Sequence, residues 1–290
     1  MSVPIFRFAP SPNGRLHLGH AYSALLNARL AREWGGRFLL RIEDIDPLRS
    51  TPAFRAAILE DLRWLGLVWE EPVRRQSEHL ADYGAAFDTL RARHLVYPCF
   101  CTRGEIARAV TGEGDAAAPR DPDGAPLYPG TCRRLPRSEV ADRLASGVPH
   151  AWRLDMPASL STIRPPLSWT RFELQRKTCR VMADPSRWGD AVIRRKEVPT
   201  SYHLSVVVDD ALQGVTHVVR GADLEAATDL HALLQVVLAL PQPAYHHHDL
   251  IRDREGSKLS KSLGSPALAS LREAGVSAAE IKRSLGFLDL

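Results

Sequence analysis

Between Phe8 and His20 the chain reads Phe-Ala-Pro-Ser-Pro-Asn-Gly-Arg-Leu-His-Leu-Gly-His, a segment that few folds can accommodate. Ile5 to Phe8, just before it, has the character of a short strand. Pro10, Pro12 and Gly14 then break any regular element, and Leu25, Leu26, Leu30 and Trp34 fall at helical spacing until Gly35-Gly36. A strand that turns at once into a helix offers the helix's first N–H groups, and the positive end of its dipole, to a phosphate. His17 and His20 can donate to that phosphate, and Gly19 lets a flat base or ribose lie against the backbone. Taken alone, two histidines at this spacing are as readily helix caps.

The pattern continues. Phe38 to Ile42 is a mostly apolar run of the kind that fills a buried parallel strand, and Thr51-Pro52 opens a helix carrying Ile58, Leu62 and Leu65. Strand, helix, strand, helix predicts right-handed βαβ units and so a doubly wound, Rossmann-like α/β fold. Residues 112–137, rich in Gly, Pro, Asp and Arg, read as loop. The α/β pattern resumes near residue 200 with short β-branched runs at Ser205–Val208 and His217–Val219. A helical stretch from Leu224 to Leu240 and a strand candidate from Tyr245 to Ile251 follow. A loop over 252–264 and a short helix near Ala278–Leu285 end the chain. The expected organisation is a first half of the catalytic domain over 1–95, an inserted subdomain over 96–190, and a second half over 191–290.

A net charge of +4 and a pI near 9.0 favour a polyanionic partner only weakly, because no dense basic run occurs. Lysine is rare. There are five lysines against 33 arginines, and Lys258 and Lys261 stand three apart in Lys258-Leu-Ser-Lys-Ser262, with Ser260 between them. Two such lysines on a loop can neutralise charge on a departing phosphate group. In a doubly wound sheet the strands' carboxyl ends share one crevice, so this loop is expected to face the His17–His20 helix start. Of four cysteines, Cys99, Cys101 and Cys132 share one region, and Cys179 reads as a buried small apolar residue. Zinc prefers four Cys and His ligands, so spacing alone suggests the three cysteines with His94; three reduced, buried thiols fit the pattern as well. No apolar run is long enough to span a bilayer and no secretion signal is visible, which makes the cytoplasm the expected compartment.

The two motifs, in this order and about 240 residues apart, resemble the signatures of class I aminoacyl-tRNA synthetases. Arg7–Ser11, Arg41-Ile-Glu-Asp-Ile-Asp-Pro47, Val206-Val-Val-Asp-Asp210 and the stretch from Gly214 to Asp223 resemble the glutamyl branch. The resemblance implies an adenylate-forming ligase that uses ATP, Mg²⁺ and L-glutamate. It implies that Arg7, Phe8, Ala9, Pro10, Ser11, Glu43, Tyr202 and Arg220 hold glutamate, and that His17, Gly19, His20, Lys258, Ser260 and Lys261 hold ATP. His17, His20, Lys258 and Lys261 would carry the catalysis. It also implies structural Zn²⁺ on Cys99, Cys101, Tyr128 and Cys132. The charges agree, since two arginines and one carboxylate complement glutamate's two carboxylates and one ammonium. His203 stands where many relatives carry Gln. Only 28 residues follow Ser262, so no anticodon-binding domain is expected. In this the sequence is similar to a truncated branch that transfers glutamate to the queuosine base at the wobble position of tRNA-Asp. Charging the 3′ end of tRNA-Glu is the alternative. The implied partners are L-glutamate, ATP and tRNA-Asp carrying queuosine, with no membrane and a monomeric enzyme.

Overall fold

The computed structural model describes residues 3–110, 119–164, 166–251 and 266–288. The chain opens with β1 (Ile5–Phe8), α1 (Leu18–Glu33), β2 (Arg37–Ile42), α2 (Pro52–Trp64), β3 (Glu70–Arg75) and α3 (Leu80–Ala92). The middle contributes β4 (Val96–Cys99), α4 (Arg103–Val110), α5 (Arg137–Ala145), β5 (Ala151–Leu154), α6 (Met156–Ser161), β6 (Ser168–Phe172) and β7 (Thr178–Met182). Then come β8 (Val192–Arg194), α7 (Tyr202–Leu212), β9 (His217–Gly221), α8 (Glu225–Val237), β10 (Ala244–His248), α9 (Leu268–Glu273) and α10 (Ala278–Ser284).

Seven strands form one sheet in the order β3-β2-β1-β9-β10-β6-β7, parallel throughout except for the β6–β7 hairpin. The chain leaves β1 towards β2 on one side, while β9 lies on the other. The crevice at the carboxyl ends of β1 and β9 is therefore the topological switch point where such folds bind ligands. Alternation along β1 decides what reaches it. Phe6 and Phe8 pack beneath α1 with Leu25, Leu26 and Leu40, so Arg7 projects to the opposite face. A second core on that opposite face joins residues of α3, α7 and α8, including Tyr83, Phe87, Leu204 and Leu230. Helices thus cover both faces, as a parallel sheet requires.

Two findings depart from the sequence expectations. Ser205–Val208, a β-branched run, lies inside α7. The Ser201 hydroxyl caps that helix by accepting from the Leu204 N–H, and every residue from Leu204 to Asp210 is buried. A helix buried all round shows no polar face, so its period is invisible. Cys179, expected to be buried, is instead exposed on β7, a strand at the edge of the sheet. The two sheets interleave the middle of the chain. β6 pairs with β10 in the large sheet, whereas β8 crosses to a small antiparallel sheet, β4-β5-β8. Pairing over such separations is set by tertiary packing, with Trp169 of β6 buried against the α8 core. No helix among the described residues is long and apolar enough to cross a membrane.

Candidate active site

A cleft of about 860 Å³ opens at the switch point. It is lined by Arg7, Phe8, Ala9, Pro10 and Ser11 from the end of β1, and by His17, Gly19 and His20 at the start of α1. Glu43 just beyond β2, Tyr202 at the head of α7 and Arg220 near the end of β9 complete the set. All eleven of these sequence-predicted residues face one space. A smaller cavity of about 80 Å³ shares Ser11, Asn13, Glu43, Arg49 and Tyr202 with it and adds Asp46 and Arg195. Lys258, Ser260 and Lys261 lie outside the described residues. Ile251, before them, lines the same cleft, and Ala267, after them, bridges to His17.

At the helix start the capping and ligand-binding readings hold together. His17 Nδ1 accepts from the Gly19 N–H at 3.1 Å, and His20 Nδ1 accepts from the His17 N–H at 3.2 Å, which makes a reciprocal capping box. With both Nδ1 atoms accepting, each neutral ring carries its proton on Nε2, the donor a phosphate oxygen needs. Gly19 has a reason the sequence did not reveal. A Cβ there would stand 3.0 Å from His17 Cε1 and displace the ring that caps the helix.

The wall on the β1 side is a closed ionic network. Arg7 Nε donates to Asp210 Oδ1 at 3.0 Å, and no described residue bonds its terminal nitrogens. Arg41, with no exposed surface, reaches the same oxygen at 2.7 Å and Glu43 Oε1 at 3.1 Å. Asp209 accepts from Arg74 Nε, Gln76 and the Tyr83 hydroxyl at 2.7 to 3.0 Å. Burial works against the charge of Arg41, but Asp210, Glu43 and Asp209 outweigh it and raise its pKa. Burial also opposes ionisation of Asp210, and there Arg7 and Arg41 prevail and lower the pKa. For Glu43 burial wins over Arg41 and Arg7, so its carboxyl lies above the ordinary carboxylate range. The Glu43 N–H donates to Pro10 O at 3.1 Å, tying this carboxylate to the loop after β1.

The wall on the β9 side is built differently. Arg220 is 5% exposed, and no carboxylate among the described residues pairs with it. Its neighbours are neutral. NH2 donates to Thr228 Oγ1 at 2.8 Å, and NH1 reaches His231 Nδ1 at 3.2 Å and, at a long 3.5 Å, the Tyr202 hydroxyl. Gly221 turns the chain after it, where a Cβ would lie 2.4 Å from Asp223 Oδ1. Sequence reasoning named Arg7, Glu43 and Arg220 but gave no role to Asp209, Asp210, Arg41, Thr228 or His231. Charged residues inside apolar runs, as at Arg41 and Asp209-Asp210, were the available signal.

In the insertion, the Sγ atoms of Cys99, Cys101 and Cys132 lie within 4.8 Å of one another, with Cys101 and Cys132 3.5 Å apart. The Tyr128 hydroxyl accepts from the Cys132 N–H at 2.8 Å and stands 3.5 Å from Cys101 Sγ. These residues form a possible metal-binding group. Its dimensions fit tetrahedral zinc, whose thiolates at about 2.3 Å from the metal stand roughly 3.8 Å from one another. Burial, set against the Tyr128 contact, leaves the Cys101 thiol at about 11. His94, the fourth ligand that spacing allowed, is exposed after α3 with φ 55° and stays outside the cluster. The extended β4 strand, at about 3.3 Å per residue, carries Cys99 away from it.

The fold thus gathers two buried arginines, a buried carboxylate and a capped helix start around one cleft. Residues 5–277 match the family model described as tRNA synthetases class I (E and Q), catalytic domain. The chain is 47% identical over 284 residues to a glutamyl-Q tRNA(Asp) synthetase of Rhodobacter capsulatus, covering 97% of this chain and 99% of that protein. It is 43% identical to a glutamate–tRNA ligase 2 of Nitrosococcus oceani, covering 93% of this chain but 56% of the relative. A glutamate tRNA ligase of Elizabethkingia meningosepticum, solved in complex with its amino acid, superimposes with a TM-score of 0.73 at 29% identity, over 92% of this chain and 54% of that one. The chain belongs to the class I aminoacyl-tRNA synthetases of the glutamyl and glutaminyl type. It is a ligase of the aminoacyl-tRNA synthetase kind, with a glutamate–tRNA ligase type of activity.

Proposed function

We propose that the enzyme activates L-glutamate with ATP and transfers it to the queuosine base at the wobble position of tRNA-Asp. The observation that carries the glutamate half is Arg220, a buried cation left without a carboxylate among the described residues, across a shared cleft from Arg7 and Glu43. An uncompensated buried charge is costly, and an anionic substrate relieves the cost. The queuosine half is supported by the R. capsulatus relative, which carries that name and matches the chain along nearly its whole length. On this reading the enzyme acts as a cytoplasmic monomer.

Arg7, through its terminal nitrogens, and Arg220 take the two carboxylates of glutamate, while Glu43 takes its ammonium. An α-carboxylate oxygen attacks the α-phosphorus of ATP, the bond to the β,γ-phosphates breaks, and pyrophosphate leaves. The Nε2–H groups of His17 and His20, with the positive end of α1, stabilise the charge on the attacked phosphate. Lys258 and Lys261, outside the described residues, are assigned to the pyrophosphate, with Ser260 beside them, and Mg²⁺ bound with ATP supplies further charge neutralisation. A ring hydroxyl of queuosine then attacks the mixed anhydride carbonyl, forms the ester and releases AMP. Zinc held by Cys99, Cys101, Tyr128 and Cys132 would cross-link two loops and take no part in this chemistry. The fit is checked by metal analysis, where about one zinc per chain is expected and Cys101→Ser should lower the occupancy.

Incubation with ATP, Mg²⁺ and labelled glutamate, using tRNA from cells that do or do not make queuosine, tests the proposal. Label confined to the queuosine-containing pool and surviving removal of the 3′ adenosine is the expected result. Label in both pools, lost with the 3′ adenosine, would replace it with charging of tRNA-Glu, the reading favoured by similarity to the N. oceani glutamate–tRNA ligase.

A further inference from the structure

Behind Arg220 stands a row of side chains that the reaction above does not use. A guanidinium can only donate, so His231 Nδ1, 3.2 Å from Arg220 NH1, is an acceptor and the His231 proton sits on Nε2. That Nε2–H points to His203 Nδ1, also at 3.2 Å, which in turn puts the His203 proton on its own Nε2. One direction of hydrogen bonding therefore runs from Arg220 through His231 on α8 to His203 on α7, and the arginine dictates both tautomers. His203 is clamped edge-on between Trp188, 5.0 Å away, and Tyr202, 5.4 Å away. His231 is 1% exposed, so no water competes for the relay.

Burial disfavours a charge on every imidazole in this row. Burial, reinforced by the charge of Arg220, brings His203 down to about 4 and holds His231 well below its ordinary value; it also lowers His247, whose Nε2 lies 3.5 Å from Arg220 Nε, to about 2. A carboxylate in place of His231 would bind the guanidinium more strongly, as Asp210 binds Arg7 across the cleft. It would also neutralise the charge that the ligand needs.

We infer that His231, buttressed by His203, is a positioning residue. It aims the Arg220 guanidinium at a carboxylate of glutamate through an acceptor that carries no charge, and so reserves the cation for the substrate. The inference rests on the reading that Arg220 binds a glutamate carboxylate.

Pyrophosphate exchange on the full chain, with glutamate varied, tests it using His231→Leu, His231→Gln and His231→Glu, with Arg220→Gln as control. His231→Leu, which removes the acceptor, should raise KM for glutamate ~tenfold and leave kcat within about twofold. His231→Gln, a neutral acceptor, should return KM to within about threefold of the parent, and His231→Glu should raise it ~100-fold by neutralising the guanidinium. Imidazole ¹⁵N shifts should report His231 as the neutral Nε2–H tautomer near pH 7, a readout that holds even if one variant fails to fold. An unchanged KM in His231→Leu, glutamate binding at the parental level in His231→Glu, or an Nδ1–H tautomer would each overturn the inference. If Arg220→Gln itself leaves KM unchanged, the reading of Arg220 fails instead.

Discussion

On the β1 wall of the cleft, two arginines share Asp210, a third basic group holds Asp209, and Glu43 leans on Arg41, so the charges close on one another. On the β9 wall, Arg220 is equally buried but hydrogen-bonds only to hydroxyls and imidazoles among the described residues. The difference separates two uses of a buried arginine. Where carboxylates already balance the guanidinium, its task is to hold neighbouring groups in place. Where they do not, its charge remains for something that enters from outside. Arg7 combines both uses: Nε is anchored by Asp210, and the terminal nitrogens are left to the cleft.

The comparison breaks most visibly through the closed network. Asp210→Asn strips the shared partner from Arg7 and Arg41 and leaves a buried cation, so stability should drop by about 3–5 kcal/mol in chemical denaturation. The same change on the open wall should behave in the opposite way. Arg220→Gln removes a charge that nothing among the described residues balances, so Tm should hold or rise while kcat/KM for glutamate in pyrophosphate exchange falls ~100-fold or more. Loss of stability with activity intact would show that Arg220 is structural and that the two walls do not differ in kind.

A smaller effect sharpens the comparison. Burial raises the Glu43 pKa above its ordinary 4.5, and only the ionised carboxylate can hold an ammonium. Glutamate binding should therefore weaken as pH falls through that raised value, with KM climbing roughly tenfold per pH unit below it. Glu43→Gln should flatten this acid limb while raising KM throughout. A limb that survives the substitution would assign it to another group.

Much of this was legible in one dimension. The Phe8–His20 segment announced a strand running into a helix start, because prolines and glycines act locally and leave the chain few conformations. The residues that the resemblance implies for glutamate could be named from motifs, and they do face one cleft. Their partners could not be named. Asp210 is 203 positions from Arg7, and His231 faces His203 across two helices, contacts that no local pattern encodes. The histidine row was hidden as well. His203 lies in α7, which is buried on almost every side so that its period is hidden, and although α8 was legible as a helix, nothing local shows that its His231 meets His203.

By itself, the sequence determined the alternation of strands and helices at the amino end, the family, and which side chains bear charge suited to glutamate and to a phosphate. These follow from residue type and local backbone restriction, which act over a few positions. Only the tertiary structure decided that Arg7 is paired with a carboxylate at Nε and Arg220 is not, that His231 rather than a carboxylate stands behind Arg220, and that His94 stands apart from the three cysteines. Electrostatic balance is a property of neighbours in space, and in a doubly wound sheet those neighbours come from opposite ends of the chain.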